Sequence, residues 1–160
     1  MKRILLLAAL LCSLSWTAGA QDFKKGVEAY KRGDYATALR ELRPLAERGD
    51  ADAQSRLGFM YDNGQGVPKD SAEAVRWLRR AAEQGFPKAQ FDLGVSYENG
   101  IGVPQDYVEA YIWFSVCAAG GHERAPEWRD KVAHLLSFEQ LRDAQREARR
   151  RWDRIQARKN

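Results

Sequence analysis

Few residues in this chain have types and spacing suited to chemistry. His122 and His134 stand twelve positions apart, and the two cysteines, Cys12 and Cys117, lie far from each other. A zinc site needs three or four ligands at short, regular intervals, and neither an HExxH nor a CxxC pattern occurs. Cys117 follows Phe114 and precedes Ala118 on an apolar stretch, so it reads as a small buried hydrophobe rather than a nucleophile. No GxSxG or SxxK motif is present. The glycines of Asn63-Gly64-Gln65-Gly66 could be mistaken for a phosphate loop, but no strand precedes them and no Walker lysine-serine pattern follows. The sequence therefore predicts no catalytic residue, no metal and no cofactor, and a cell-wall hydrolase is the weakest of the functional readings.

Charge is the second resource. Near the C-terminus Arg142, Arg146, Arg149, Arg150, Arg151, Arg154, Arg158 and Lys159 outnumber Asp143, Glu147 and Asp153. One reading is a solvated helix face with i,i+4 pairs such as Glu147 with Arg151, its cations favoured near a helix C-terminus. The other is a docking patch of Arg142, Arg146, Arg149, Arg150 and Arg154 for an anionic cell-wall glycan or lipid. Nucleic acid is not an expected partner, because export removes the protein from most of it.

The export reading comes from residues 1–20. Lys2 and Arg3 precede an apolar run from Ile4 to Leu14, and Ala18-Gly19-Ala20 offers the small residues of a signal-peptidase site, with cleavage expected between Ala20 and Gln21. The run falls short of the about 20 apolar residues of a spanning helix. A periplasmic or secreted protein, not integral to the membrane after cleavage, is the expectation. Lys2 and Arg3 contribute two of the formal net charge of +4, and Cys12 leaves with them. The remaining Cys117 cannot form an internal bridge, so stability must come from packing.

Shifting the chain by 36 positions superposes it on itself. Ala53-Gln54 falls on Ala89-Gln90, Leu57-Gly58 on Leu93-Gly94, Tyr61 on Tyr97, and Gly66-Val67-Pro68 on Gly102-Val103-Pro104. Asp70, Ala74 and Trp77 fall on Asp106, Ala110 and Trp113, and Gly49, Gly85 and Gly121 mark unit ends. Each unit reads as two helices: Ala53, Leu57, Gly58 and Tyr61 share one face of the first, and Ala74, Leu78, Ala81 and Ala82 one face of the second. Glycine inside a helix costs about 1 kcal/mol against alanine, so its recurrence at Gly58 and Gly94 predicts close helix approach. Asn63 and Gly64 end the first helix, Pro68 blocks continuation, and Asp70 is the expected N-cap of the second, with Glu73 three residues on. Asp34 and Asp106 occupy the matching place. In the shortened first unit, Tyr30 is aligned with Tyr61 and Gly33 with Gly64.

These residues closely resemble the Sel1-like, tetratricopeptide-related repeat. The resemblance implies an all-α protein: an α/α superhelix (solenoid) of helix-turn-helix repeats with C-terminal capping helices, and a role in assembling protein complexes rather than a catalytic site. Functions of cysteine-rich relatives do not carry over, because this chain lacks those cysteines. The expected organisation is a signal peptide at 1–20, a tetratricopeptide-like unit at 21–50, Sel1-like units at 51–86 and 87–122, and capping helices at 123–160.

Repeat arrays of this kind expose their first helices on a concave side. The residues expected to line that groove and hold a protein or peptide are Lys24, Glu28 and Lys31, then Ser55, Phe59 and Asp62, then Phe91, Val95 and Glu98. Phe59 and Phe91 have two readings, partner anchors or packing against the neighbouring unit. After Gly121 the period is expected to stop. Pro126 suits a first helical turn, Trp128, Val132, Leu135 and Leu136 make an apolar stripe, and Ser137 with Gln140 forms a capping-box pattern beside Leu136 and Leu141. Phe138, Leu141, Ala144, Ala148, Trp152 and Ile155 are then placed on one buried face.

Overall fold

The computed structural model describes residues 22–159, so the leader expectation lies outside the described residues. Helix α1 covers 22–31. It is followed by α2 (Tyr35–Glu47), α3 (Ala51–Asn63), α4 (Ser71–Glu83), α5 (Pro87–Asn99), α6 (Tyr107–Ala119), α7 (Ala125–Ala133) and α8 (Phe138–Ala157). No strand occurs among the described residues. The helices pack in chain order as antiparallel neighbours, the solenoid implied by the repeat, except that α8 folds back along α6.

Local chemistry sets the helix ends. Asp34, Asp50, Asp70 and Asp106 each accept a backbone N–H of the following first turn. The Thr37 hydrogen bond holds the Asp34 carboxyl below the usual carboxylate range. Ser137 and Gln140 close a reciprocal capping box at the start of α8. Glu73 does not reach back to its cap; its carboxylate pairs with Arg76.

Close approach explains the recurring glycines. A Cβ on Gly58 would sit 2.8 Å from Leu78 Cγ, and one on Gly94 would sit 2.6 Å from Phe114 Cε1. Gly26 meets Leu42 in the same way, so the short first unit uses the same device. This corrects the register of that unit. The N–H groups of Asp34, Asp70 and Asp106 donate to the carbonyls of Ala29, Tyr61 and Tyr97. Ala29, not Tyr30, is therefore the counterpart of Tyr61. The signal was obscured because alanine replaces tyrosine there.

The long loop of each full unit serves the unit before it. Gly66, at φ +74°, lies against the backbone of Tyr35, and Gly102, at φ +71°, against that of Ser71. A side chain at either position would strike backbone as well as adopt a left-handed conformation. Gln65 ties the loop down further, accepting from Tyr30 Oη at 2.9 Å and donating to Tyr35 Oη at 3.2 Å.

Two apolar clusters make the core. One gathers Ala29, Leu42, Leu57, Met60 and Trp77 across the first two units; the other runs from Val75 through Phe114 and Val116 to Ile155. Ala125, fully buried, extends the Ala53 and Ala89 series by one more step of 36, so the period fades rather than stopping at Gly121. Helix α7 packs on α6 as α5 packs on α4. Two expected cap contacts are absent: Leu135, in the turn after α7, is exposed, and Phe138, the first residue of α8, is 83% exposed. Val132, Ala144, Ala148 and Ile155 are buried as the apolar stripes require.

Candidate functional site: the first-helix face and the basic last helix

The expected groove residues separate into three groups. Lys24, Glu28 and Lys31 are exposed on α1. Phe59 and Asp62 on α3 and Val95 on α5 border two adjoining depressions of about 240 and 190 Å³, with Phe59 shared by both, while Ser55, which touches the first, is itself buried at 2% exposure. Tyr30, Asp52 and Arg56 complete the first, and Asp92, Ser96 and Ile101 help form the second. Lys88 borders both, its Nζ 5.5 Å from the centre of the Phe59 ring. Phe59 is 44% exposed, and the edge of its ring meets Tyr30 at 6.3 Å between centroids.

Phe91 and Glu98 do not belong to this surface. Phe91 is 8% exposed, stacked on His122 at 4.8 Å and edge-on to Trp128 at 5.5 Å. Glu98 is equally buried and pairs with Lys131 of α7 at 3.1 Å. Helix α7 and the turn before it cover this side of α5, from Phe91 near its start to Glu98 near its end, which leaves both residues structural. Asp62 also has an internal task, accepting from Ser71 Oγ at 2.6 Å.

Sequence reasoning saw Gln54 and Gln90 recur but assigned them no task. Each is buried and donates its amide to a carbonyl in the last turn of the preceding helix, Ala46 at 3.0 Å and Ala82 at 3.1 Å. Tyr61 and Tyr97 likewise accept from Arg43 and Arg79 of the preceding unit. Polar side chains thus tie unit to unit.

On α8 the arginines are not one uniform face. Arg142 and Arg146 pair with Asp143, Arg149 lies 3.8 Å from Asp153, and Arg154 pairs with Glu147 at 2.9 Å. Arg150 is exposed with no acidic side chain within 4.0 Å among the described residues. Arg151 turns inward. It makes a two-pronged bond to Glu109, at 2.9 and 3.1 Å, and its guanidinium lies 4.6 Å from the Trp113 ring centre. The Glu147 pairing expected for Arg151 is a long 3.9 Å.

Cys117 is fully buried, with its sulfur 3.2 Å from the Pro87 carbonyl oxygen, and burial together with the Asp92 charge pushes its thiol pKa up to about 12. Among the described residues no cluster of three or more His, Cys, Asp or Glu side chains could hold a metal ion. No helix among them is long and apolar enough to cross a membrane.

Paired helices stacked through small residues, capped aspartates and inter-unit glutamines define a helical repeat protein whose class serves as a protein-interaction scaffold. The chain belongs to the Sel1 repeat family, which is matched over residues 51–86 and again over 87–122. A Sel1 repeat protein from Oxalobacter formigenes is 38% identical with a TM-score of 0.65, the match covering 78% of this chain and 97% of that one. A protective antigen of uropathogenic Escherichia coli with an SLR fold is 30% identical with a TM-score of 0.76 over 87% of this chain. The present chain spans 32% of that longer protein. Comparison with curated proteins gives no match.

Proposed function

We propose that this protein is an adaptor of the bacterial cell envelope that holds a segment of another protein on the face formed by α1, α3 and α5. The observation that carries the reading is Phe59, a half-exposed aromatic ring between two depressions that have room on either side of it. Aromatic rings set in such surroundings are the usual anchors of binding energy at interfaces. Lys88, Arg56, Asp52 and Asp92 around it offer both charge signs, which suits an extended peptide or a helix carrying mixed side chains. The envelope location rests on the leader-like residues 1–20.

The test is site-specific photocrosslinking in the native envelope. A photoreactive residue in place of Phe59 is expected to trap a protein partner, while the same residue at the exposed Arg40 of α2 traps none. Equal trapping at both positions, or none at 59, contradicts the proposal.

A further inference from the structure

The last helix, the second helix of the middle unit and Trp113 of α6 line an open cavity of about 280 Å³ that shares no lining residue with the depressions around Phe59. Four arginines line it, Arg79 from α4 and Arg151, Arg154 and Arg158 from α8, with Trp113 in its wall and Glu83 as its one acidic lining residue. Chain regions about seventy positions apart therefore supply cations to one small volume. This is not a face of α8 alone: Arg142, Arg146, Arg149 and Arg150 lie outside it.

The internal partners of these arginines leave donors over. Arg151 is bound to Glu109, and Arg154 to Glu147. Arg79 donates to the hydroxyl of Tyr97, and neither Arg79 nor Arg158 has a carboxylate within 4.0 Å among the described residues. Lys159 adds a further cation nearby, its Nζ beside Gly85. The indole Nε1–H of Trp113 has no hydrogen-bond partner among the described residues, but neither has that of Trp77, its counterpart one unit earlier, so this is a feature of the repeat.

We infer that this cavity is a binding site for a phosphate-class oxyanion. Each guanidinium presents a planar fork of donors, and a cleft with low-dielectric walls concentrates its positive field. A carboxylate accepts in one plane, and the protein's own Glu109 already uses that mode on Arg151, while Glu147 accepts from Arg154 through one oxygen. The donors that remain come from two helices. They fit a tetrahedral group that accepts from several directions. The volume suits a small phosphate ester or a headgroup, and is too small to enclose a polymer. The inference is independent of the groove around Phe59, so either can fail without the other.

The test is calorimetric titration of the full chain with inorganic pyrophosphate at low ionic strength. Pyrophosphate is expected to bind, and Arg158→Gln and Arg154→Gln each to weaken it by about tenfold or more, the loss typical of a charge-assisted hydrogen bond. Arg146→Gln and Arg149→Gln, on the same helix outside the cavity, are expected to leave binding unchanged, and thermal unfolding confirms that all four variants fold. Malonate is expected to bind more weakly than pyrophosphate. No binding of pyrophosphate, an equal loss in all four variants, or malonate binding as tightly would overturn the assignment. Given binding, vesicles containing phosphatidylglycerol separate the sources: capture that is lost with Arg158→Gln identifies a lipid headgroup, and absence of capture a soluble phosphate ester.

Discussion

The side-chain amide of Gln90 donates to the carbonyl oxygen of Ala82 at 3.1 Å, joining the third unit to the last turn of the unit before it. The Ala82 oxygen also accepts from Gly85 N, so it is not left bare if Gln90 is lost. Gln90→Met is therefore expected to cost only the net value of one hydrogen bond, about 1 kcal/mol, in denaturant unfolding. Gln90→Glu is a harsher change, because it sets a buried carboxylate against a carbonyl oxygen. Burial raises the folded-state pKa of that glutamate, so its deficit is expected to grow as pH rises above the unfolded value and to shrink as pH falls toward about 4.3. Unfolding curves at several pH values check this.

Gly94 places two effects in opposition. Alanine favours the helix by about 1 kcal/mol. Its Cβ would also lie 2.6 Å from the fully buried ring of Phe114, and overpacking of this kind costs about 1–3 kcal/mol. The clash is expected to win, so Gly94→Ala lowers stability, measured as a lower midpoint in urea. A stability gain would show that α5 and α6 are less closely packed.

Arg151 and Glu109 join helices 42 positions apart through a two-pronged bond, with both side chains partly screened from solvent. Arg151→Ala also removes the cation over Trp113. The expected loss is about 1.5–3 kcal/mol, and it should be local. Amide hydrogen exchange is expected to quicken in α8 while α2 and α3 keep their protection. A double-mutant cycle with Glu109→Gln should give a coupling well away from zero.

With its pKa near 12, the Cys117 thiol holds about one part in ten thousand as thiolate at pH 8. In a Cys12→Ser background, labelling by a thiol reagent is expected to follow global unfolding. Rapid labelling of the native protein would show that the α5–α6 interface opens readily.

How much of this was legible beforehand follows from what repeats. Gly58 with Gly94, Asp70 with Asp106 and Leu57 with Leu93 announce themselves by recurring, and their tasks are local or lie in the adjacent helix. The 36-residue register groups Phe91 and Glu98 with the groove residues and leaves packing as a second reading for Phe91 alone; that α7 covers both is not legible in it. The covering residues, Trp128 and Lys131, belong to the segment where the period fades. The spacing pairs Arg151 with Glu147 on its own helix, whereas its main partner, Glu109, is remote in sequence and so not legible in it. Phe138 fits the apolar side of α8 by spacing alone, yet as the helix's first residue it stands 83% exposed.

The groove itself is tested most directly by affinity for the partner trapped at position 59. Phe59→Glu is expected to weaken that affinity by about thirtyfold or more, the scale of an anchor residue worth about 2 kcal/mol, with helical content unchanged. Arg40→Glu is expected to leave it intact. Equal affinity in wild type and Phe59→Glu would contradict the account.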